Sequence, residues 1–180
     1  MKYFLPIMFF GLSYICLGNT METLNSERST IKIHGTSSLH DWTMDATEFS
    51  IDFDSTTEDM THITVKVPVS KIQSDSDMMN DKTHSALKER QHPEIRFTAK
   101  NIKMTADEIE IPGQLSMAGM SKSITLHKVK HKLDKNIRIL SGETDIDMTE
   151  FQIKPPSVLF MTVGKTVKVS FHIELQSTAK

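Results

Sequence analysis

The sequence predicts an all-β fold of about eight antiparallel strands with one short helix. Hydrophobic and polar residues alternate along most of the chain after residue 28, which is the period of a strand with one buried face. Short polar segments such as Leu133–Asn136 and Leu140–Glu143 separate the alternating stretches, as is typical of strands joined by tight turns. The pattern is compatible with a sandwich or with a barrel.

The individual strands follow from the positions of the apolar residues. The clearest strand runs from Val167 to Leu175, where every second residue is apolar. Pro68 has no N–H to donate, so the stretch from Ile63 to Val69 is expected at an edge, a bulge or a strand end. The other predicted strands contain Ile31 and Ile33; Phe49, Ile51 and Phe53; Ile95, Phe97 and Ala99; Ile109 to Met117; Ile124 and Leu126; Ile137 and Ile139; and Ile146 and Met148.

One segment departs from this alternation. Asn80 to Gln91 contains good helix formers, and Asn80 or Asp81 could cap its start. Pro93 disfavours helical geometry for the residue before it, so the helix is expected to stop there. A single helix of about ten residues could close one end of a barrel, or it could be a helical turn on the surface.

The first 18 residues have the features of a signal peptide. Lys2 supplies a positive charge, and Tyr3 to Ile15 form an apolar run of about 13 residues, which is too short to cross a bilayer. Cleavage after Gly18 would remove Cys16, the single cysteine, and with it any disulfide or thiol chemistry. We therefore expect a periplasmic or secreted protein without stable membrane insertion.

Length and charge limit the other classes of protein. Residues 19–180 contain no internal repeat or low-complexity linker, so one domain is expected. The net charge of −2 argues against nucleic acid as a partner. The oligomeric state stays open, and a homodimer is one alternative.

Ser38, His40 and Asp41 suggest a hydrolytic triad at first sight, because they lie within four positions of each other. In an extended segment, however, His40 and Asp41 point to opposite faces. Ser38 and His40 would be roughly 6.5 Å apart at about 3.3 Å per residue, whereas triad groups need contacts of about 2.6–3.2 Å. We interpret the segment as a polar turn that delivers Trp42 to the core, with His40 or Asp41 bonding to the backbone.

Two further motifs do not support a metal or phosphate site. Asp75 and Asp77 have the spacing of a calcium loop, but Asn80 stands where glycine is required and Ala86 where glutamate is required. The segment 164–166, Gly-Lys-Thr, lacks the upstream glycine of a phosphate-binding loop and is expected to form a hairpin turn. We expect neither a metal nor a cofactor.

Several ordered segments resemble the YceI-like family of exported lipid-binding proteins. "GTSSLHDW" resembles the family's first hairpin, and "ALKERQHPEIRF" its helix and following strand. "MTEFQIKPP" and "VGKTVKVSFHIEL" resemble its last segments, so that the similarity spans about residues 28–176. Many members have arginine where Met148 stands and glycine where Gln152 stands. The family's Gly/Leu/Gly/Lys/Leu hairpin pattern is matched at Gly113, Leu115, Gly119, Lys122 and Leu126.

The resemblance implies an eight-stranded lipocalin-like antiparallel barrel that binds long-chain amphiphiles. We therefore expect an exported, non-enzymatic protein that sequesters or carries a polyisoprenoid or fatty-acyl lipid. The same apolar side chains could instead pack on each other, since sequence does not separate a cavity lining from a filled core. The candidate ligand-binding residues are Trp42, Phe49, Phe53, Leu87, Phe97, Leu115, Met117, Leu126, Met148, Phe151, Phe160 and Phe171.

Two other functions stay open at this point. A lipid-modifying enzyme could use His40 or His92 as its acid–base catalyst. A filled barrel could act as a stress-response or protein-interaction module without a ligand, and it would have no cavity.

Overall fold

The computed structural model describes residues 21–55, 59–155, 157–158 and 161–178. Within these residues the chain forms twelve strands, one α-helix (α1, Asp77–Ala86) and two 3-10 helices, Val69–Lys71 and Met148–Phe151. The strands are β1 (Met21–Leu24), β2 (Thr30–Ser37), β3 (Trp42–Ala46), β4 (Ser50–Ser55), β5 (Asp59–Pro68), β6 (Ile72–Gln73), β7 (Glu94–Lys103), β8 (Glu108–Met117), β9 (Met120–Asp134), β10 (Ile137–Asp147), β11 (Ser157–Val158) and β12 (Met161–Thr178).

The strands form one antiparallel sheet that curls into a barrel. The spatial order is β4-β5-β7-β8-β9-β10-β12-β2-β3-β6, with β1 and β11 paired to β12. β5 lies near one end of this order and β6 at the other, yet only the short 3-10 helix Val69–Lys71 connects them. Because three residues cannot span an open sheet, its two ends must approach each other. The predicted all-β antiparallel barrel with one short helix is confirmed.

The strand count is higher than the eight predicted. β3 is not among the predicted strands, and β1, β6 and β11 are only two to four residues long. The stretch at Ile146, expected to be a separate strand, is the end of β10. Pro68 is the last residue of β5, which agrees with the expected strand end.

Strand β12 organises the sheet, because it pairs with four other strands. It contacts β10 along eleven residue pairs, from Ile137–Gln176 to Asp147–Thr166. It also pairs with β11, β2 and β1 at successive positions along its length. Alternate residues such as Val167, Ile173 and Leu175 are buried, as the sequence predicted for this strand.

Two predicted turns are wrong. Leu140–Glu143 lies inside β10, where Gly142 pairs with Phe171 of β12 instead of forming a turn. Residues 164–166 lie inside β12, where the register to β2 shifts between Val163 and Val167. Glycine in a strand often marks a bulge or a close approach of another group, and both situations occur here.

Helix α1 begins and ends earlier than predicted. Its N-cap is Ser76 and not Asn80 or Asp81. The hydroxyl oxygen of Ser76 accepts a hydrogen bond from the backbone N–H of Met79 at 3.4 Å. The helix ends at Ala86, because Lys88 adopts a left-handed conformation with φ of 56°. The chain therefore leaves the helix several residues before Pro93. None of the helices in the described part of the chain is long and apolar enough to cross a membrane.

Among the described residues, the apolar interior consists of three groups of buried side chains. One group closes the end of the barrel that lies away from α1; we call it the deep cluster, and its members are Met60, Ile63, Ala99, Ile102, Met104, Ile109, Ile111, Val129, Leu140, Ile173 and Leu175. A second group lies at the other end, near the 3-10 helix Met148–Phe151. A third contains Met44, Ala46, Val67 and Ile72, and it packs against Met79 and Leu87 at α1.

Candidate ligand-binding site

The barrel encloses a cavity of about 460 Å³. This volume lies in the range of roughly 300–1,000 Å³ that is typical of sites for small molecules. The lining comes from inward-pointing residues of β2 to β10 and β12 and from one face of α1. The structure therefore differs from a filled barrel, in which side chains would meet in the middle.

The deep end of the cavity is closed by the deep cluster. Ile63, Ile111, Leu140 and Ile173 belong to this cluster and also line the cavity. All four side chains are buried, and all are aliphatic. A ligand group that reached this end would find no charged partner among them, so this part of the site suits a hydrocarbon tail.

The polar lining residues lie mainly at the opposite end, beside α1. Ser76, Lys82 and Thr83 come from the helix region, and Ser37 and His40 come from the turn between β2 and β3. Met78 also lines this end, although 62% of its surface is exposed to solvent. This end is therefore the mouth of the cavity, where a polar head group could remain in contact with water.

Helix α1 is fixed over the mouth by side-chain hydrogen bonds. The Thr83 hydroxyl donates to Sδ of Met44 in β3 at 3.3 Å. The His84 ring bonds through Nε2 to the carbonyl oxygen of Ile72 at 2.9 Å, so this nitrogen carries the proton. These bonds place Met79, Ala86 and Leu87 on the cavity, which agrees with the alternative in which the helix closes one end of the barrel.

The turn that first suggested a triad is held together by Ser37. The Ser37 hydroxyl donates to the carbonyl oxygen of His40 at 2.7 Å and accepts from the His40 backbone N–H at 3.2 Å. The turn leads directly into Trp42, whose indole N–H donates to the carbonyl oxygen of Thr36 at 3.3 Å. The segment is a polar turn that delivers Trp42 to the interior, as predicted, although Ser37 makes the bonds expected of His40 or Asp41.

The ionisable groups with shifted pKa values do not line the cavity. Burial, together with the nearby positive charge of Arg138, lowers the pKa of His131, and Arg138 donates from Nη1 to His131 Nε2 at 3.0 Å. Hydrogen bonds from Thr149 lower the pKa of Asp147, and Glu143 raises that of Lys168. Perturbed pKa values often mark catalytic sites, and here they do not mark this cavity. Among the described residues, no group of His, Cys, Asp or Glu side chains is placed to hold a metal ion.

Most of the candidate binding residues face the cavity. Those that line it are Trp42, Leu87, Phe97, Leu115, Met117, Leu126, Met148 and Phe171. Phe49, Phe53 and Phe151 do not. Phe49 and Phe53 are partly buried and pack against the deep cluster, and Phe151, the last residue of the 3-10 helix Met148–Phe151, is buried in the core. Phe160 lies outside the described residues.

The cavity wall is more aliphatic than the candidate residues from the sequence, most of which are aromatic, leucine or methionine. Much of the wall consists of isoleucine and valine at inward positions. The signal was present in the alternation itself, because each of these residues occupies an inward position of a strand. The missed residues include Ile33, Val65, Val67, Ile95, Ile124, Ile146, Val167 and Val169.

Comparison with solved structures shows the same fold in proteins of low sequence identity. BcnA of Burkholderia cenocepacia superposes with a TM-score of 0.72 at 15% identity, over 84% of this chain and 98% of its own. A polyisoprenoid binding domain from Saccharophagus degradans, implicated in plant cell wall breakdown, gives 0.68 at 11% identity, over 88% and 99%. The YceI protein of Campylobacter jejuni gives 0.60 at 14% identity, over 100% and 99%.

Sequence comparison places the chain in a family. No curated protein is similar enough in sequence to match it. The family model of the YceI-like domain, by contrast, matches residues 23–175, which include the described strands from β2 to β11 and most of β12. The match covers most of the chain and agrees with the shared fold, and from both we conclude that this chain belongs to the YceI-like family.

Proposed function

We propose that this protein is an exported, non-enzymatic binding protein that sequesters or carries one amphiphilic lipid of the polyisoprenoid or fatty-acyl type. The observation that carries the proposal is the cavity of about 460 Å³, apolar at its deep end and polar at its mouth. The relative from Saccharophagus degradans is described as a polyisoprenoid binding domain, which supports a lipid of this kind.

The energetics of tail burial fit such a role. Each methylene that leaves water for an apolar site contributes about 0.8 kcal/mol. A contact of roughly ten carbons would offset the cost of association and give affinity in the micromolar range. The head group would remain near the mouth, where Lys82 and His40 are the described lining residues that can carry a positive charge.

The other candidate functions have less support. A filled barrel that acts only as a stress-response or protein-interaction module would not need this cavity. For a lipid-modifying enzyme, His40 lies at the exposed mouth, and the His92 ring packs against the Gly119 backbone. Among the described hydrogen bonds and ion pairs, none joins the ring of either histidine to a carboxylate, the pairing that acid–base catalysis would favour.

Export is part of the proposal, since the first 18 residues have the composition of a signal peptide. The prediction is that protein from the native host lacks residues 1–18 and is recovered outside the cytoplasm. N-terminal sequencing of the mature protein, together with cell fractionation, tests it. A cytoplasmic protein that retains Lys2 would contradict this part of the proposal.

Lipid binding is tested with protein purified from its own host. Native mass spectrometry followed by solvent extraction should reveal one bound lipid per chain. The variant Ile124→Trp adds a large side chain to the cavity wall and should lower lipid occupancy. The matched control Ser123→Trp adds the same side chain at an exposed neighbouring position and should keep the lipid. A wild-type protein that carries no lipid and binds none when loaded would contradict the proposal.

A further inference from the structure

The aromatic rings that line the cavity share an unusual arrangement. Among the described residues, each phenylalanine or tryptophan on the cavity wall rests against a glycine of the neighbouring strand. The three pairs are Trp42 on Gly35, Phe97 on Gly113, and Phe171 on Gly142.

The contacts at Gly35 and Gly113 are so close that only glycine leaves room for the rings, and a Cβ atom at Gly142 would also press on its ring. A Cβ atom at Gly113 would lie 2.5 Å from Cζ of Phe97, and one at Gly35 would meet the Trp42 ring even more closely. A Cβ atom at Gly142 would lie 3.0 Å from Cζ of Phe171 and 3.4 Å from Cε1. The rings of Trp42 and Phe97 therefore occupy the space that a side chain on the glycine would need, and the Phe171 ring would have to shift by a few tenths of an ångström to admit one.

Strand pairing explains this arrangement. Gly142 of β10 lies directly opposite Phe171 of β12, and directly paired residues project from the same face of a sheet. Phe171 lines the cavity, so Gly142 also faces inward. Because glycine has no side chain, the ring can lean sideways onto the backbone of β10 and lie along the wall. With a side chain at position 142, the ring would have to project further into the cavity.

The Phe171 ring lies where a change in its position would alter the depth of the cavity. It packs against the deep cluster and lines the cavity at the same time. The next inward pair along the two strands towards the deep end is Leu140 and Ile173, which belongs to that cluster. The ring therefore forms part of the boundary that the end of a ligand tail would meet.

We propose that Gly142 is a specificity-determining residue, which sets the length of lipid tail that the cavity accepts by holding the Phe171 ring against the wall. This inference rests on the proposed function, since it assigns a tail-length limit to the same cavity. A side chain at position 142 would move the ring inward and exclude the last carbons of the longest tails. Each excluded methylene lowers affinity by about fourfold.

The test measures affinity against tail length in the full chain. The ligands are straight-chain fatty acids from octanoate to stearate and the prenyl alcohols geraniol, farnesol and geranylgeraniol, titrated by calorimetry. Gly142→Ala should weaken the longest ligands that the wild type binds by up to about fourfold, the loss of one methylene contact, and leave shorter ones unchanged. Phe171→Leu should shift the preference towards longer tails, and the double variant should return towards the wild-type profile.

The control is Ser141→Val, which adds volume to the same strand at the adjacent, outward-facing position. It should leave the length profile unchanged. Circular dichroism melting of each variant establishes that it is folded. If Gly142→Ala does not fold, the test rests on Phe171→Leu. An unchanged dependence of affinity on tail length in that variant overturns the inference.

The outcomes separate the two claims. If the wild type binds lipids but Gly142→Ala keeps the same length profile, the inference is wrong and the proposed function stands. If Gly142→Ala weakens all ligands equally, the glycine has only a structural role, and the inference is again overturned. If the wild type binds no fatty acid or prenyl alcohol of any length, the proposed function fails, and the inference fails with it.

Discussion

Phe151 provides a direct test of which aromatic residues form the core and which form the ligand site. The sequence grouped it with the candidate binding residues, but the structure leaves its side chain only 1% exposed, and it does not line the cavity. Phe151→Ala should lower the free energy of unfolding by about 3–5 kcal/mol, because it removes a fully buried ring. For a domain of this size, that corresponds to a decrease in Tm of roughly 6–20 °C.

The assay combines urea unfolding, followed by circular dichroism, with calorimetric titration of a fatty acid. Phe151→Leu is the milder variant, with an expected loss of about 1–2 kcal/mol, and its lipid affinity should stay within about twofold of the wild type. Phe171→Leu is the matched comparison, since it should change the tail-length preference. A Phe151→Leu variant with unchanged stability and tenfold weaker lipid binding would refute the assignment of this ring to the core.

Three further predictions concern stability. The pKa of His131 is lowered in the folded protein, mainly by burial and then by Arg138. As the pH falls, the unfolded chain therefore binds a proton at His131 at a higher pH than the folded protein does. The free energy of unfolding should therefore decrease as the pH falls below about 6.5, and His131→Gln should reduce this slope in urea titrations across that range. Ser76→Ala removes the N-cap of α1 and should lower the free energy of unfolding by about 0.5–1 kcal/mol, with faster amide hydrogen exchange in the helix. Unchanged exchange would contradict the role of Ser76 as the cap. Gly119→Ala should lower the free energy of unfolding, measured in urea, by about 1–3 kcal/mol. The reason is that φ of Gly119 is +85° and a Cβ atom there would lie 2.5 Å from His92 Nε2. A variant as stable as the wild type would contradict this account.

The sequence predicted the strands well where alternation is long and uninterrupted. The stretches at Ile63–Val67 and Val167–Leu175 are strands with the expected inward faces. Register and bulges were not predictable, since they depend on partner strands that are distant in sequence. The left-handed Lys88 illustrates the same limit for the helix, because its Nζ donates to the carbonyl oxygen of Ala118, 30 residues away.

The site was predictable only in part, for a related reason. Alternation identifies which side chains point inward, but it does not show which of them pack against each other in the core and which line a cavity. The sequence makes both Phe151 and Phe171 candidate binding residues, yet one is in the core and the other faces the cavity. The short polar segment around Gly142 predicts a turn, and nothing near it in the sequence reveals its ring partner Phe171, which comes 29 positions later on β12. Only the folded arrangement of the strands brings the two residues together.

The position of β12 in the sheet affects how the molecule can fold. β2 hydrogen-bonds to β12, and Ser29 bonds to the backbone of Glu174 across 145 residues of sequence. Contacts between residues so far apart in sequence slow the search for the native state. A nascent chain that has not yet extended through residues 161–178 cannot join β2 to β10, so the intermediate would expose two unpaired strand edges and the apolar wall of the cavity. We expect such an intermediate to depend on chaperones more than the finished barrel does.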